Sequence, residues 1–256
     1  MSSILSNNIT KNFRLVAGLK NCLFSIRNQD ESPVAISGNK GYNHNTMSNL
    51  RKTIKNWRRA VVRRICPKTY TWRMTDEEQA MFKKYLRGAR HYLEFGAGGS
   101  TVCALKHSDA DITSVESSKG FIRHLKRNPA MAFGGVRFRW SDIGATGDWG
   151  RPKDESKKDL WPNYSADVFR EQGGFDVVLV DGRFRVACGL QTVLNTDDDT
   201  IIMIHDFYNR PEYHILLKYL EPVEEPADTL GVFRKKKGID PARIESDYEK
   251  YKYDFA

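Results

Sequence analysis

The chain has 256 residues, of which 40% are hydrophobic, and this is enough for one sizeable α/β domain with an extension. Its four cysteines form no pair or cluster with zinc-ligand spacing, and no apolar run approaches the roughly 20 residues that span a bilayer. Composition therefore disfavours a zinc module and a transmembrane protein, and we expect a soluble, cytoplasmic protein with reduced thiols.

The net charge of +9 is unevenly distributed along the chain. Residues 1–75 hold 14 of the 41 lysines and arginines but 2 of the 32 aspartates and glutamates. The positive charge is therefore a property of the N-terminal extension. Because affinity for nucleic acid comes largely from clustered cations, this asymmetry argues against a nucleic-acid interface on the rest of the chain.

The extension divides into two predicted parts. Residues 1–47, rich in Ser and Asn, predict a flexible segment whose basic amphipathic stretch leaves an organelle transit peptide as an alternative. Residues 48–69 predict a basic amphipathic helix, because apolar side chains recur at helical spacing among lysines and arginines. This helix either docks on the domain or, through residues 48–66, contacts an anionic membrane surface or RNA. The recurring apolar residues are Leu50, Ile54, Trp57, Val61 and Ile65.

Residues 70–256 predict a doubly wound α/β domain. Thr75 and Glu78 match a capping box, which starts a helix that runs to about Arg87. Short apolar strands then alternate with helices, a rhythm typical of a parallel sheet. Because ligands of such sheets bind outside the carboxyl ends of the strands, we expect the functional residues there. The predicted strands lie near residues 91–95, 111–115, 136–140, 175–180 and 200–204.

A glycine turn follows the first predicted strand. Gly96 and Gly98 allow a tight turn and let a ligand approach the backbone, and Ser100 opens the next helix. Glu94 lies two residues before the first glycine, where its carboxylate would repel a pyrophosphate and attract an ammonium group. The turn therefore favours a cationic cofactor over a dinucleotide.

Acids also follow the second and third predicted strands. Glu116 stands where a carboxylate accepts hydrogen bonds from the two hydroxyls of a ribose. Asp142 stands where an acid accepts one from an adenine amino group. Together with Glu94, these acids favour a cofactor site at three successive strand ends.

Four segments resemble class I S-adenosylmethionine-dependent methyltransferases, particularly bacterial small-molecule types: residues 93–101, 114–116, 179–186 and 204–207. The resemblance implies a Rossmann-like seven-stranded sheet with a reversed last strand, for which residues 229–234 are the candidate. It also implies that Gly96, Gly98, Glu116 and Asp142 hold S-adenosylmethionine. The activity implied is O- or N-methylation of a small polar acceptor. An RNA methyltransferase using the basic helix and a non-catalytic cofactor-binding fold remain alternatives.

The reacting groups are expected after the fourth and fifth strands. His205 is the candidate general base, because its ordinary pKa lies nearest neutrality. Alternatively, Asp181 and Asp206 hold a divalent metal such as Mg²⁺, which prefers carboxylate oxygens. Phe207 departs from metal-dependent O-methyltransferases, which usually place an Asn or another acid beside the last Asp.

Four side chains are candidates for acceptor binding. Arg183 and Arg185 leave the loop after the fourth strand and offer forked donors for a carboxylate or phosphate. Trp149 lies in the long connection 142–174, which we interpret as a lid over the acceptor, the alternative being a surface loop whose tryptophans pack on the core. Tyr213 is a candidate for the wall of the pocket.

Overall fold

The computed structural model describes residues 72–128, 131 and 135–256, together with Thr53, Asn56, Trp57, Ala60 and Val61. These five residues are helical, as the sequence predicts. The segment 1–47 and the remainder of 48–69 lie outside the described residues, so the flexible segment and the membrane or RNA contact stay predictions. In the part that is described, no helix has the length and apolar character needed to cross a membrane.

Seven strands form one sheet. They are β1 (His91–Phe95), β2 (Asp111–Glu116), β3 (Val136–Trp140), β4 (Val177–Val180), β5 (Ile201–Ile204), β6 (Leu220–Pro222) and β7 (Gly231–Lys235). The helices described in full are α1 (Asp76–Leu86), α2 (Gly99–His107), α3 (Lys119–Leu125), α4 (Pro162–Glu171), α5 (Arg185–Asn195) and α6 (Pro241–Tyr251). Short 3-10 segments cover Asp148–Gly150, Lys158–Leu160 and Pro211–Lys218.

The strand order is β3-β2-β1-β4-β5-β7-β6, with β1 to β5 parallel and β7 antiparallel to both of its neighbours. This confirms the predicted doubly wound sheet with a reversed last strand. Sequence analysis did not locate β6, whose three residues are too short to show alternation. Because β1 pairs with both β2 and β4, the residues that follow these three strands meet at one edge of the sheet.

The central strands are buried on both faces. Every residue of β4 and β5 is buried, as expected for parallel strands covered by helices on both sides. Val178 and Val180 share a core cluster with α4, α5 and α6, whereas Val177 and Leu179 share one with α1 and α2. This alternation places α4, α5 and α6 on one face of the sheet and α1 and α2 on the other.

The connection 142–174 is not only a loop, which corrects its interpretation from sequence. It contains α4, which begins with Pro162 at the first helical position and buries Tyr164 and Val168 on one face. Trp161, just before this helix, is 2% exposed and packs in the core, whereas Trp149 is 64% exposed. The core-packing alternative therefore holds for Trp161, and the lid stays a prediction for the part of the connection before it.

Candidate functional site

Two turns meet at the carboxyl edge of the sheet. Gly96 follows β1 with a φ of +93°, and a Cβ there would lie 2.7 Å from the Cα of Gly182, which follows β4. A Cβ on Gly182 would in turn collide with the hydroxyl of Tyr164 and lie 2.8 Å from the amide nitrogen of Gly96. Both positions therefore require glycine, since the backbones pass each other without room for a side chain.

Gly98 is different, because its α-carbon faces open space. A Cβ built there has no heavy atom within 4 Å, although Gly98 immediately precedes α2. The backbone at Gly98 therefore forms an open cradle, which a side chain would occupy. Cofactor binding at this turn stays a prediction, for which an open backbone is a requirement.

Glu94 lies beneath the turn. Its carboxylate is fully buried and accepts hydrogen bonds from the hydroxyls of Tyr92 (3.0 Å), Ser100 (2.8 Å) and Thr101. Burial raises the pKa of Glu94 to about 7, against the opposing effect of these donors. The arrangement corrects the idea that Glu94 and Ser100 face the cofactor, because each points at the other and together they hold the turn from below.

Glu116 closes the other side of the turn. Its Oε2 accepts from the amide of Ala97 at 3.3 Å, and its Oε1 accepts from the amide of Ser118 at 2.7 Å and the hydroxyl of Ser117 at 3.3 Å. Burial raises the pKa of Glu116. A carboxylate has about four acceptor positions, so Oε2 retains capacity for a further donor. This carboxylate therefore fits the ribose hydroxyl that the sequence analysis assigned to it.

Asp142 follows β3 and is partly exposed. Its Oδ1 accepts from the amide of Gly144 at 3.1 Å, and its Oδ2 forms an ion pair with Lys157. The hydrogen bond from Lys157 lowers the pKa of Asp142, so the carboxylate is charged. Trp140, the last residue of β3, donates through Nε1 to the carbonyl of Ser117 and so joins this strand end to that of β2.

Arg185 organises the ends of β4 and β5. Its Nη1 donates to Asp206 Oδ2 at 3.0 Å, its Nη2 to Asp181 Oδ1 at 3.2 Å and its Nε to the carbonyl of Gly182 at 3.1 Å. The side chain is 6% exposed. These contacts correct the assignment of Arg185 to acceptor binding, since its donors are already engaged. Tyr213, 1% exposed, packs behind the guanidinium with 5.7 Å between Cζ and the ring centroid, which also removes it from the pocket wall.

His205 lies among three carboxylates. Its Nδ1 donates to Asp181 Oδ1 at 2.9 Å and lies 3.7 Å from Asp206 Oδ1, while its Nε2 lies 3.5 Å from Glu78 Oε2. Burial lowers the pKa of His205, but the hydrogen bond with Asp181 and the three negative charges outweigh it, so the pKa is raised. Both ring nitrogens of His205 face acids. This arrangement suits a charged histidine that orients Asp181, and it suits a general base less well, because a base needs a free ring nitrogen.

The carboxylate of Asp181 keeps one oxygen for other chemistry. Its Oδ1 binds Arg185 and His205, whereas Oδ2 has no hydrogen-bond partner among the described residues. The side chain is 26% exposed. Asp206 is similar, because its Oδ2 binds Arg185 while its Oδ1 lies 3.7 Å from His205 Nδ1 and has no hydrogen-bond partner among the described residues. Each of the two carboxylates therefore keeps one acceptor atom without a hydrogen bond.

The structure does not support a metal ion at Asp181 and Asp206. The guanidinium of Arg185 binds both carboxylates, and its positive charge opposes a divalent cation there. Over the described ranges, no group of three or more histidine, cysteine, aspartate or glutamate side chains is arranged as a metal site. The donor set thus fits an ion-pair network and not Mg²⁺.

Sequence analysis missed the part that Glu78 plays in this network. Glu78 closes the predicted capping box, with Oε2 2.8 Å from the amide of Thr75. It is also 1% exposed and accepts from the hydroxyl of Thr229 at 2.6 Å while facing His205. The local motif was visible in the sequence, but its pairing with residues far along the chain was not.

The chain is 31% identical to a methyltransferase-like protein from Silicibacter pomeroyi DSS-3, whose crystal structure aligns over 72% of this chain and 98% of that chain with a TM-score of 0.64. A Podospora anserina methyltransferase with S-adenosylhomocysteine bound is 15% identical, covering 79% of this chain and 100% of that chain with a TM-score of 0.46. A Pyrococcus furiosus methyltransferase is 18% identical, covering 75% and 100% with a TM-score of 0.40. Similarity as low as that of the last two says nothing about the ligands of this chain.

No protein-family model and no curated protein matches the sequence. The Silicibacter structure is nevertheless similar along nearly its whole length, and the sheet has the order and reversed strand that the resemblance implied. The chain belongs to the class I S-adenosylmethionine-dependent methyltransferase family.

Proposed function

We propose that the chain transfers a methyl group from S-adenosylmethionine to a hydroxyl or an amine of a small polar acceptor. The observation that carries the proposal is the open cradle at Gly98, next to the Ala97 amide that Glu116 holds. A backbone edge without a side chain, beside a buried carboxylate, suits a nucleoside with a cationic tail better than a pyrophosphate.

Three groups of residues would hold the cofactor. The backbone of the turn at Gly96 and Gly98 would face its methionine end, Glu116 would accept from a ribose hydroxyl, and Asp142 would accept from the adenine amino group. When bound, S-adenosylmethionine supplies an electrophilic methyl carbon on a sulfonium. The protein contributes orientation, because methyl transfer needs the acceptor atom in line with the breaking carbon–sulfur bond.

Asp181 is the residue that we assign to proton removal. A lone pair of the acceptor oxygen or nitrogen forms the new bond to the methyl carbon, the carbon–sulfur bond breaks with its electron pair on sulfur, and the acceptor's proton passes to Asp181 Oδ2. His205 and Arg185 hold the other oxygen of Asp181, at 2.9 and 3.2 Å, and so act as positioning residues.

Isothermal titration calorimetry with S-adenosylhomocysteine tests the cofactor assignment. We expect saturable binding to the full chain and none to reduced nicotinamide adenine dinucleotide. A panel of small hydroxyl- and amine-bearing acceptors, followed by release of S-adenosylhomocysteine, then tests turnover. Failure of S-adenosylhomocysteine to bind, or tighter binding of the reduced dinucleotide, would overturn the proposal.

A further inference from the structure

A turn of the chain crosses the candidate site above the glycine turn. A Cβ on Gly150 would lie 3.3 Å from Ser117 Oγ, just after β2, and 3.9 Å from Arg183 Cγ, just after β4. Since β1 lies between β2 and β4 in the sheet, the segment 147–151 passes over the end of β1. The turn therefore lies beside the residues that follow β2 and β4, and Arg183, which it contacts, is two residues from Asp181.

Positive charge concentrates at this turn. Arg151 belongs to it, Arg183 packs against it, and the guanidinium of Arg73 lies 4.3 Å from the ring centroid of Trp149. Within the described part of the chain, none of these three arginines has a carboxylate within ion-pair distance, and Asp148, in the same turn, pairs with none of them. Uncompensated cations gathered around a cleft attract anions.

Arg183 also has an unused donor. Its Nη1 reaches the carbonyl of Phe255 at 3.5 Å, but its Nε is buried and has no hydrogen-bond partner. Burial lowers the pKa of Arg183, and the charges of Arg185 and Arg151 lower it further. A buried donor without a partner is destabilising, and an oxyanion brought under the turn would remove that penalty. The edge formed by Nε and Nη2 matches two oxygens of a carboxylate or phosphate.

Trp149 adds an exposed aromatic face beside these cations. The residue has a left-handed φ of +59°, which is rare for a bulky side chain and is held only where the surroundings impose it. Trp149 is 64% exposed, so it keeps surface for a ligand besides its contact with Arg73.

We propose that the acceptor carries an oxyanion group, a carboxylate or a phosphate, which Arg183 binds through its forked edge while Arg151 and Arg73 surround it beside Trp149. This inference rests on the proposed function, because it assigns the class of molecule that is methylated next to Asp181. Arg185 cannot serve instead, since Asp181 and Asp206 already neutralise it.

The test titrates the full chain, saturated with S-adenosylhomocysteine, with inorganic phosphate and separately with acetate, both at constant ionic strength. We expect at least one of the two ions to bind and Arg183→Gln to weaken that binding by at least about tenfold. Arg183→Lys keeps the positive charge but loses the planar pair of N–H donors, so its affinity for the ion should be intermediate. The ion that binds more tightly identifies the group as phosphate or carboxylate.

Arg243→Gln, which removes one exposed guanidinium from α6, is the matched control and should bind both ions as the wild type does. Arg151→Gln provides a second exposed variant if Arg183→Gln fails to fold, and it should weaken binding several-fold. The proposal is overturned if neither ion binds, or if the variants at Arg183 and Arg151 bind like the wild type. If S-adenosylhomocysteine itself does not bind, the proposed function fails, and the same titrations without it still decide the oxyanion site.

Discussion

The amide of Ala97 donates to the carboxylate of Glu116, with 3.3 Å between the nitrogen and Oε2, and so ties the glycine turn after β1 to the end of β2. The same carboxylate holds the amide of Ser118 at the start of the next helical segment. One acid therefore joins two strand ends, and we also assign it to the ribose of the cofactor. Its replacement should affect both roles.

Glu116→Gln should weaken binding of S-adenosylhomocysteine about tenfold or more. The amide side chain offers one acceptor oxygen in place of two, so it cannot satisfy Ala97, Ser118 and a ribose hydroxyl together. Calorimetry measures the affinity, and thermal unfolding reports the smaller loss of stability. Glu245→Gln, an exposed position on α6, is the control. An unchanged affinity in Glu116→Gln would remove this residue from the cofactor site.

Gly98→Ala should leave the fold intact and weaken binding of S-adenosylhomocysteine at least about tenfold. The added methyl group meets no protein atom within 4 Å, but it occupies the cradle assigned to the cofactor. Gly173→Ala is matched, because a Cβ there also meets nothing within 4 Å and the position lies before β4, away from the turn. If both variants bind the ligand equally well, the cradle is not a ligand site.

Arg185→Met should lower the free energy of unfolding by about 3 kcal/mol, because removal of the guanidinium leaves His205 as the one positive charge beside the carboxylates of Asp181 and Asp206 among the described residues. Denaturant titration measures the loss. Arg170→Met is the comparison, since Arg170 pairs with Asp167 from an exposed side chain and should cost well under 1 kcal/mol. Equal losses of unfolding free energy in the two variants would mean that the ion pairs of Arg185 with Asp181 and Asp206 contribute no more than an exposed pair.

Asp181→Asn should lower kcat about 100-fold or more on a hydroxyl acceptor, since the amide cannot accept the proton, while KM for S-adenosylmethionine changes little. Asp206→Asn should cost less, because Asp181 adjoins the glycine turn, where its neighbour Gly182 packs against Gly96. Release of S-adenosylhomocysteine under saturating cofactor measures both variants. A larger loss of kcat in Asp206→Asn than in Asp181→Asn would reverse the assignment.

The raised pKa of His205 predicts how stability depends on pH. Because the folded-state pKa exceeds the unfolded value of about 6.5, the histidine stabilises the fold fully below pH 6.5 or so and loses this effect as the pH rises through its folded pKa. The difference in unfolding free energy between wild type and His205→Gln should therefore shrink with rising pH. If this difference in unfolding free energy instead grows with pH, His205 is not stabilised in its charged form by the neighbouring carboxylates.

Sequence reasoning succeeded where the signal was local or periodic. The spacing of Thr75 and Glu78 predicts a capping box that the structure contains, and the apolar runs predict five of the seven strands to within two residues at either end. The resemblance supplied the reversed strand. The helix α4 was missed although Pro162 marks its start, because the apolar spacing of Tyr164 and Val168 was masked by polar neighbours.

The site was harder to predict than the fold, because its contacts join residues far apart in sequence. Arg185 is four residues from Asp181 but 21 from Asp206, so its double ion pair depends on the pairing of β4 with β5. Glu94 was expected to face a ligand, yet the side chains of Tyr92, Ser100 and Thr101 surround it. Which way a carboxylate points follows from packing, which a linear motif does not encode.

Arg185 also has a consequence for the entropy of binding. By joining the carboxylates of Asp181 and Asp206 to each other and to the carbonyl of Gly182, it immobilises the ends of two strands before any acceptor arrives. The conformational freedom of these groups is lost during folding, so an acceptor that docks against Asp181 does not have to order them. A methyl transfer that depends on alignment thus begins from a surface that is already in place.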